Sequence, residues 1–202
     1  MKTNPLANKA VHEIEAVQGE ASKDVSFVSE HIFSDNAAAE AAFADSVEKL
    51  MNVPGWSAIS SFTANFFLYD QHRAPKEAGP VALGDFIRIE LPGPMPGNWV
   101  RVVDFSVYEN RVEFAVQPTH DPAKGDAEET DHFFTEAARS IFRVERGGTR
   151  LIASEIGRDE VVNNHQPEAG DRAVINTAIA AAGWLFYQKI QWKTLTDYLV
   201  HL

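Results

Sequence analysis

The chain has 202 residues, 45% of them hydrophobic, enough apolar mass for one domain with a sizeable core. Its 29 acidic against 18 basic residues give a formal net charge of -11, so the average surface repels a phosphate backbone and general nucleic-acid binding is excluded as a function class. No cysteine occurs, which removes disulfides, thiolate metal sites, iron–sulfur clusters and cysteine nucleophiles together, and fits a reducing cytoplasm.

Residues 1–24 mix small, polar and charged side chains, with Val11, Ile14 and Val17 at helical spacing and no long apolar run. They predict a loosely ordered arm, neither a signal peptide nor a membrane span. Residues 25–202 are then expected to form a single domain of a cytoplasmic, bacterial-type protein. Its first clear element opens on the cap-type residues Ser34, Asp35 and Asn36. Alanines follow, and Phe43, Val47, Leu50 and Met51 fall at i, i+4, i+7 and i+8 before Pro54-Gly55 ends the run. That spacing predicts an amphipathic helix packed on a sheet.

From Ser60 the period changes to two. "SFTANFFLYD" sets Phe62, Phe66 and Leu68 on one side, and "DFIRIEL" sets Ile87, Ile89 and Leu91 against Arg88 and Glu90. "NWVRVVDFSVY" and "RVEFAVQ" flank Glu109-Asn110 as a hairpin, and "RSIFRVERGGTRLIASEIG" forms another, whose Gly147-Gly148 suits the positive torsions of a tight turn. Near the end, Asp171 can cap a helix carrying Val174, Ile175, Ala178, Ile179, Ala182, Leu185 and Phe186. Gly183 permits a bend before a last stretch with Ile190, Leu195, Tyr198 and Leu199. Helix, strands, helices, without βαβ alternation, predict an α+β domain. Its antiparallel sheet of about six strands should be strongly curved or barrel-like, with one N-terminal helix and the C-terminal helices packed on it.

Several chemistries lack their signatures. There is no Gly-x-Ser-x-Gly nucleophile elbow, no phosphate-binding Gly-x-x-x-x-Gly-Lys and no Gly-x-Gly-x-x-Gly. The seven histidines form no His-x-His or His-x-x-x-His pair that would seat a metal. No metal and no cofactor is therefore expected. The acidic stretch "DPAKGDAEETDHFF" fails the calcium-loop spacing and reads as a solvated loop between strands, with a lid over a pocket as its alternative. Phe105, Phe114, Phe133, Phe134 and Phe142 fit an ordinary core, or the lining of a ligand cavity. Trp184, Tyr187 and Trp192 are spread around more than one helical face, which suits a homodimer contact or a pocket rim.

The densest polar stretch is "GRDEVVNNHQ" at residues 157–166, ahead of the last helices. As a turn, Arg158 pairs with Asp159 or Glu160 while the asparagines close Asx-type hydrogen bonds. As a site, Arg158, Asn163 and Asn164 would bind a ligand, with Glu155, Glu160, His165 and His132 as candidates for moving a proton. Two functions follow. One is a non-enzymatic protein that binds a small polar or apolar ligand or serves as an accessory partner. The other is a metal-independent enzyme acting on a small polar or anionic substrate through the Arg/Glu/His cluster.

Overall fold

The computed structural model describes residues 23–61, 63–92, 97–124, 130–163 and 184–202. Strand β1, Lys23–Ile32, leads into helix α1, Asn36–Met51, and a 3-10 turn, Val53–Ala58. Strands β2 (Asn65–Tyr69), β3 (Phe86–Glu90), β4 (Asn98–Tyr108), β5 (Arg111–Thr119), β6 (Arg139–Gly147) and β7 (Arg150–Glu160) follow, and helix α2, Trp184–Leu199, ends the chain. The strands form one antiparallel 7-stranded sheet in the order β1-β7-β6-β5-β4-β3-β2. The sheet does not close, so β1 and β2 are its edges.

The local signals explain most of these elements. The Asp35 carboxylate accepts a hydrogen bond from the Ala38 amide at 2.8 Å and so satisfies a donor that the first turn of α1 leaves open. The expected hairpins are β4–β5 and β6–β7; in the second, Gly148 takes a φ of 62 between the paired Gly147 and Arg150. The strand beyond the expected six is β1. Its Asp24 and Lys23 belong to the sheet, although sequence had placed them in the arm, and residues 1–22 lie outside the described part. The strand alternates, but its inward row of Phe27, Ser29 and His31 is only partly apolar, so period two is masked. Residue 62 and the expected helical run of residues 171–183 are likewise outside the described part.

Both helices cover the same face of the curved sheet. The fully buried stripe of α1 is Ala39, Ala42, Ser46 and Leu50, with Phe43, Val47 and Met51 half-buried beside it. Small residues let the helix approach β6 and β7 closely, and the 3-10 turn then drops Trp56 into the centre. The Trp56 ring stacks on Phe114 at 6.1 Å and tilts against Phe142 at 5.1 Å. Burial of side chains of this size is worth about 1.5–3 kcal/mol each. Helix α2 lies over β1 and β7. Its C-terminal half is tied down where Ser29 on β1 meets Thr196 at 2.7 Å and donates to Asp197 at 2.6 Å.

Candidate functional site

Pairing across the sheet sets Phe27, Glu155, Phe142, Phe114 and Phe105 in one row over β1, β7, β6, β5 and β4. Side chains in such a row share a face. Glu155 thus occupies a core position among four phenylalanines and is 0% exposed. Neither of its carboxylate oxygens completes a hydrogen bond among the described residues. Burial, then the charge of Glu160, pushes its pKa well above the usual carboxylate range, and the nearby Ser140 hydroxyl pulls it only partly back. This setting favours the neutral form of the carboxyl.

Glu160 reaches the same place by a different route. Alternation along β7 turns Leu151, Ala153, Glu155 and Gly157 inward and would turn residue 160 outward. The register with β1 slips between Lys23 and Val25, which face Glu160 and Gly157, so β7 carries one extra residue there. Asp159 sits in this bulge with a φ of 50, and its amide donates to the Asp24 carboxylate at 3.1 Å. The bulge turns Glu160 inward to 3% exposure. There its Oε1 accepts from Gln188 Nε2 on α2 at 3.2 Å. Gly157 leaves the required space: a Cβ at that position would stand 2.4 Å from Glu160 Oε1 and 2.8 Å from Val25 Cγ2.

Next to this pair, between α2 and the sheet, lies a cavity of about 50 Å³. One water needs roughly 10–15 Å³ on this measure, so the space holds a few. Its apolar wall comes from Ile89, Leu91, Val100, Val116, Phe134 and Phe142, while Asn98, His132, Ser140, Gln188 and Gln191 add polar atoms. Ser140 and Gln188 separate the cavity from the two carboxyls, which do not themselves line it. From α2, Gln191 Oε1 accepts the Ala64 amide at 2.7 Å and faces the Tyr187 hydroxyl at 3.4 Å. Burial pushes the Tyr187 pKa up to about 12, so this phenol stays protonated. Trp192 lines the cavity with its ring 5.3 Å from Phe142.

The predicted site residues divide between two sides of the sheet. Glu155, Glu160 and His132 come to the cavity or directly behind its wall. Arg158 does not: it is exposed and pairs with Asp24 at 2.8 Å, a partner not expected from sequence. That contact, with the Asp159 amide as the larger influence, holds the Asp24 carboxyl below its ordinary range. Asn163 is fully buried and donates from Nδ2 to the Thr130 carbonyl at 3.3 Å and the His132 carbonyl at 3.5 Å. Asn164 and His165 lie outside the described residues. The expected turn after Ile156 is instead strand as far as Glu160.

The reading of the acidic stretch as a solvated loop is corrected for its second half. Residues 130–135 are all buried, because backbone bonds from Thr135 to Val161 and from Asn163 to Phe133 fasten them to the chain beyond β7. His132 accepts the Phe134 amide on Nδ1 at 2.9 Å, which places its proton on Nε2. Sequence reasoning passed over Ser140, Gln188 and Gln191; the one available signal was the pair of glutamines one helical turn apart on α2. Among the described residues no group of three or more His, Asp or Glu converges as a metal site, and no helix is long and apolar enough to cross a membrane.

No family model matches the sequence, and no curated protein matches it. Solved structures give weak alignments, one of them above a TM-score of 0.5 among those described. A hypothetical protein from Helicobacter pylori aligns with a TM-score of 0.51 and 15% identity over 92% of each chain. Norcoclaurine synthase from Thalictrum flavum, solved with dopamine and hydroxybenzaldehyde, aligns with a TM-score of 0.43 at 7% identity, over 100% of this chain and 95% of that one. A di-domain ARO/CYC protein of the steffimycin biosynthetic pathway gives 0.45 at 10% identity, over 95% of this chain and 53% of the other. The shared architecture is α+β, one antiparallel sheet with helices packed on it.

Proposed function

We propose that the chain binds a small ligand in the cavity between α2 and the sheet. The observation that carries this reading is the composition of the enclosure: an aliphatic and aromatic wall interrupted by polar side chains that α2 turns inward, with Gln188 and Gln191 only 3% and 4% exposed. Ligand sites are mostly apolar with a few placed polar groups, whereas a helix meant only to seal a core would carry aliphatic residues there. At about 50 Å³, the cavity is smaller than the roughly 150 Å³ that accepts a benzene ring. A ring-sized ligand therefore needs side chains of the wall to shift, the polar contact of Gln191 to Ala64 among them.

The acid pair favours a second reading, an enzyme in which Glu155 gives up its proton to a bound substrate. The position of both carboxyls behind Ser140 and Gln188, not in the wall, makes binding the better conclusion. The test is thermal unfolding against small apolar-bodied compounds. A ligand at 100 times its Kd stabilises the native state by about 2.7 kcal/mol. Compounds that raise Tm in the parent protein should lose that effect in Ala138→Leu, which fills the cavity from a wall position 3% exposed. Equal responses from a folded Ala138→Leu would place binding elsewhere.

A further inference from the structure

We infer that the occupant of this cavity is an uncharged molecule whose apolar frame carries a hydrogen-bond acceptor, such as a carbonyl oxygen, presented to the indole N–H of Trp192. The inference rests on the cavity being a ligand site and adds the chemical class of the ligand. Trp192 lines the cavity and is 8% exposed, yet its buried Nε1–H meets no acceptor among the described residues. A buried donor left unmade is expensive, because it has given up water and received nothing. The chain supplies its own contrast. Trp56, in the packed core, gives its Nε1–H to the Lys49 carbonyl at 3.0 Å.

Two acceptors near the cavity are already engaged. Gln191 Oε1 takes the Ala64 amide, and Glu160 Oε1 takes the Gln188 amide. The Tyr187 hydroxyl donates to the same Gln191 Oε1 at 3.4 Å. The buried indole N–H therefore selects a ligand that accepts. Ions of either sign fit less well. A cation meets the like charge of Arg139 in the wall and brings no acceptor to the indole, while an anion, though Arg139 attracts it, must give up far more hydration than a neutral acceptor does.

Four probes of similar size separate these cases: ethylbenzene, acetophenone, phenylacetate and phenethylamine, titrated calorimetrically into the full chain and into Trp192→Phe. Acetophenone should bind the parent about tenfold more tightly than ethylbenzene, the equivalent of about 1.4 kcal/mol, and more tightly than either ion. In Trp192→Phe the ketone's advantage should disappear while ethylbenzene affinity holds within about twofold. Should that variant fail to fold, the ranking on the parent protein decides alone. Equal binding of ketone and hydrocarbon, a preference for either ion, or an advantage that survives Trp192→Phe overturns the inference. Ethylbenzene bound without ketone preference leaves the cavity as a ligand site and removes only its proposed chemistry, whereas no binding by any of the four removes both.

Discussion

One face of one sheet is filled in two opposite ways. Beneath α1 and the 3-10 turn, Leu50, Val53, Trp56, Val144 and Leu151, none more than 1% exposed, close on Phe114 without a polar atom in need of a partner. Beneath α2 the same sheet buries Glu155, sets Glu160 against Gln188 and leaves about 50 Å³ open. Apolar packing in the first region holds the fold together. In the second, two acids, a bulge and a void each cost stability, and breaks of this kind in local rules concentrate at functional sites. Stability and function are thus separated along the sheet, which makes the contrast testable by mutation.

The largest effect should come from the packed side. Phe114 is 1% exposed and touches Trp56, Phe105 and Phe142; Phe114→Ala should cost about 3–5 kcal/mol in urea unfolding. A loss below about 1 kcal/mol would erase the distinction between the two regions. On the cavity side, Gly157→Ala forces a methyl group against Glu160 and Val25, for an expected cost of about 1–3 kcal/mol. Combining it with Glu160→Ala should recover the part of that loss due to Glu160 and leave the part due to Val25.

A smaller, pH-dependent effect belongs to Glu155. Its folded pKa lies above the unfolded value near 4.5, so the native state binds this proton more tightly than the unfolded chain does. The associated stability is fully present below that unfolded value and is lost as pH rises toward the raised folded one. Glu155→Gln, neutral throughout, should therefore gain on the parent protein as pH is raised from about 5 to about 8. Parallel stability curves would mean that Glu155 is not held protonated. The smallest effect is expected for Arg158→Ala: its ion pair with Asp24 is exposed, so neither the unfolding midpoint nor ligand binding should move. Loss of binding would return the site to the polar stretch on the outer side.

How much of this was legible depended on whether local pattern and tertiary environment agreed. The α1 cap at Asp35 and the two hairpins are local devices, and sequence places them correctly. Strand β1 was missed because its inward row includes Ser29 and His31, which serve α2 and the C-terminal end through hydrogen bonds instead of supplying apolar contacts. Glu155 was readable in principle, since it shares parity with Leu151 and Ala153. Grouping it with the following polar residues hid that position. Glu160 was a candidate for the wrong geometric reason: its inward turn depends on the left-handed Asp159, and no spacing rule reports such a bulge. Burial of residues 130–135 depends on partners about thirty residues away, and their charge masked it.

The claim that the space under α2 is the ligand site is tested most directly by the two indole N–H signals of the core and the cavity. In a 15N-labelled sample titrated with acetophenone, assigned through Trp56→Phe and Trp192→Phe, the Trp192 indole resonance should shift and saturate, together with the side-chain amides of Gln188 and Gln191. The Trp56 indole, already bonded to the Lys49 carbonyl, should stay in place. A Trp192 signal that never moves, or saturating shifts confined to Trp56 and its neighbours, would contradict the account.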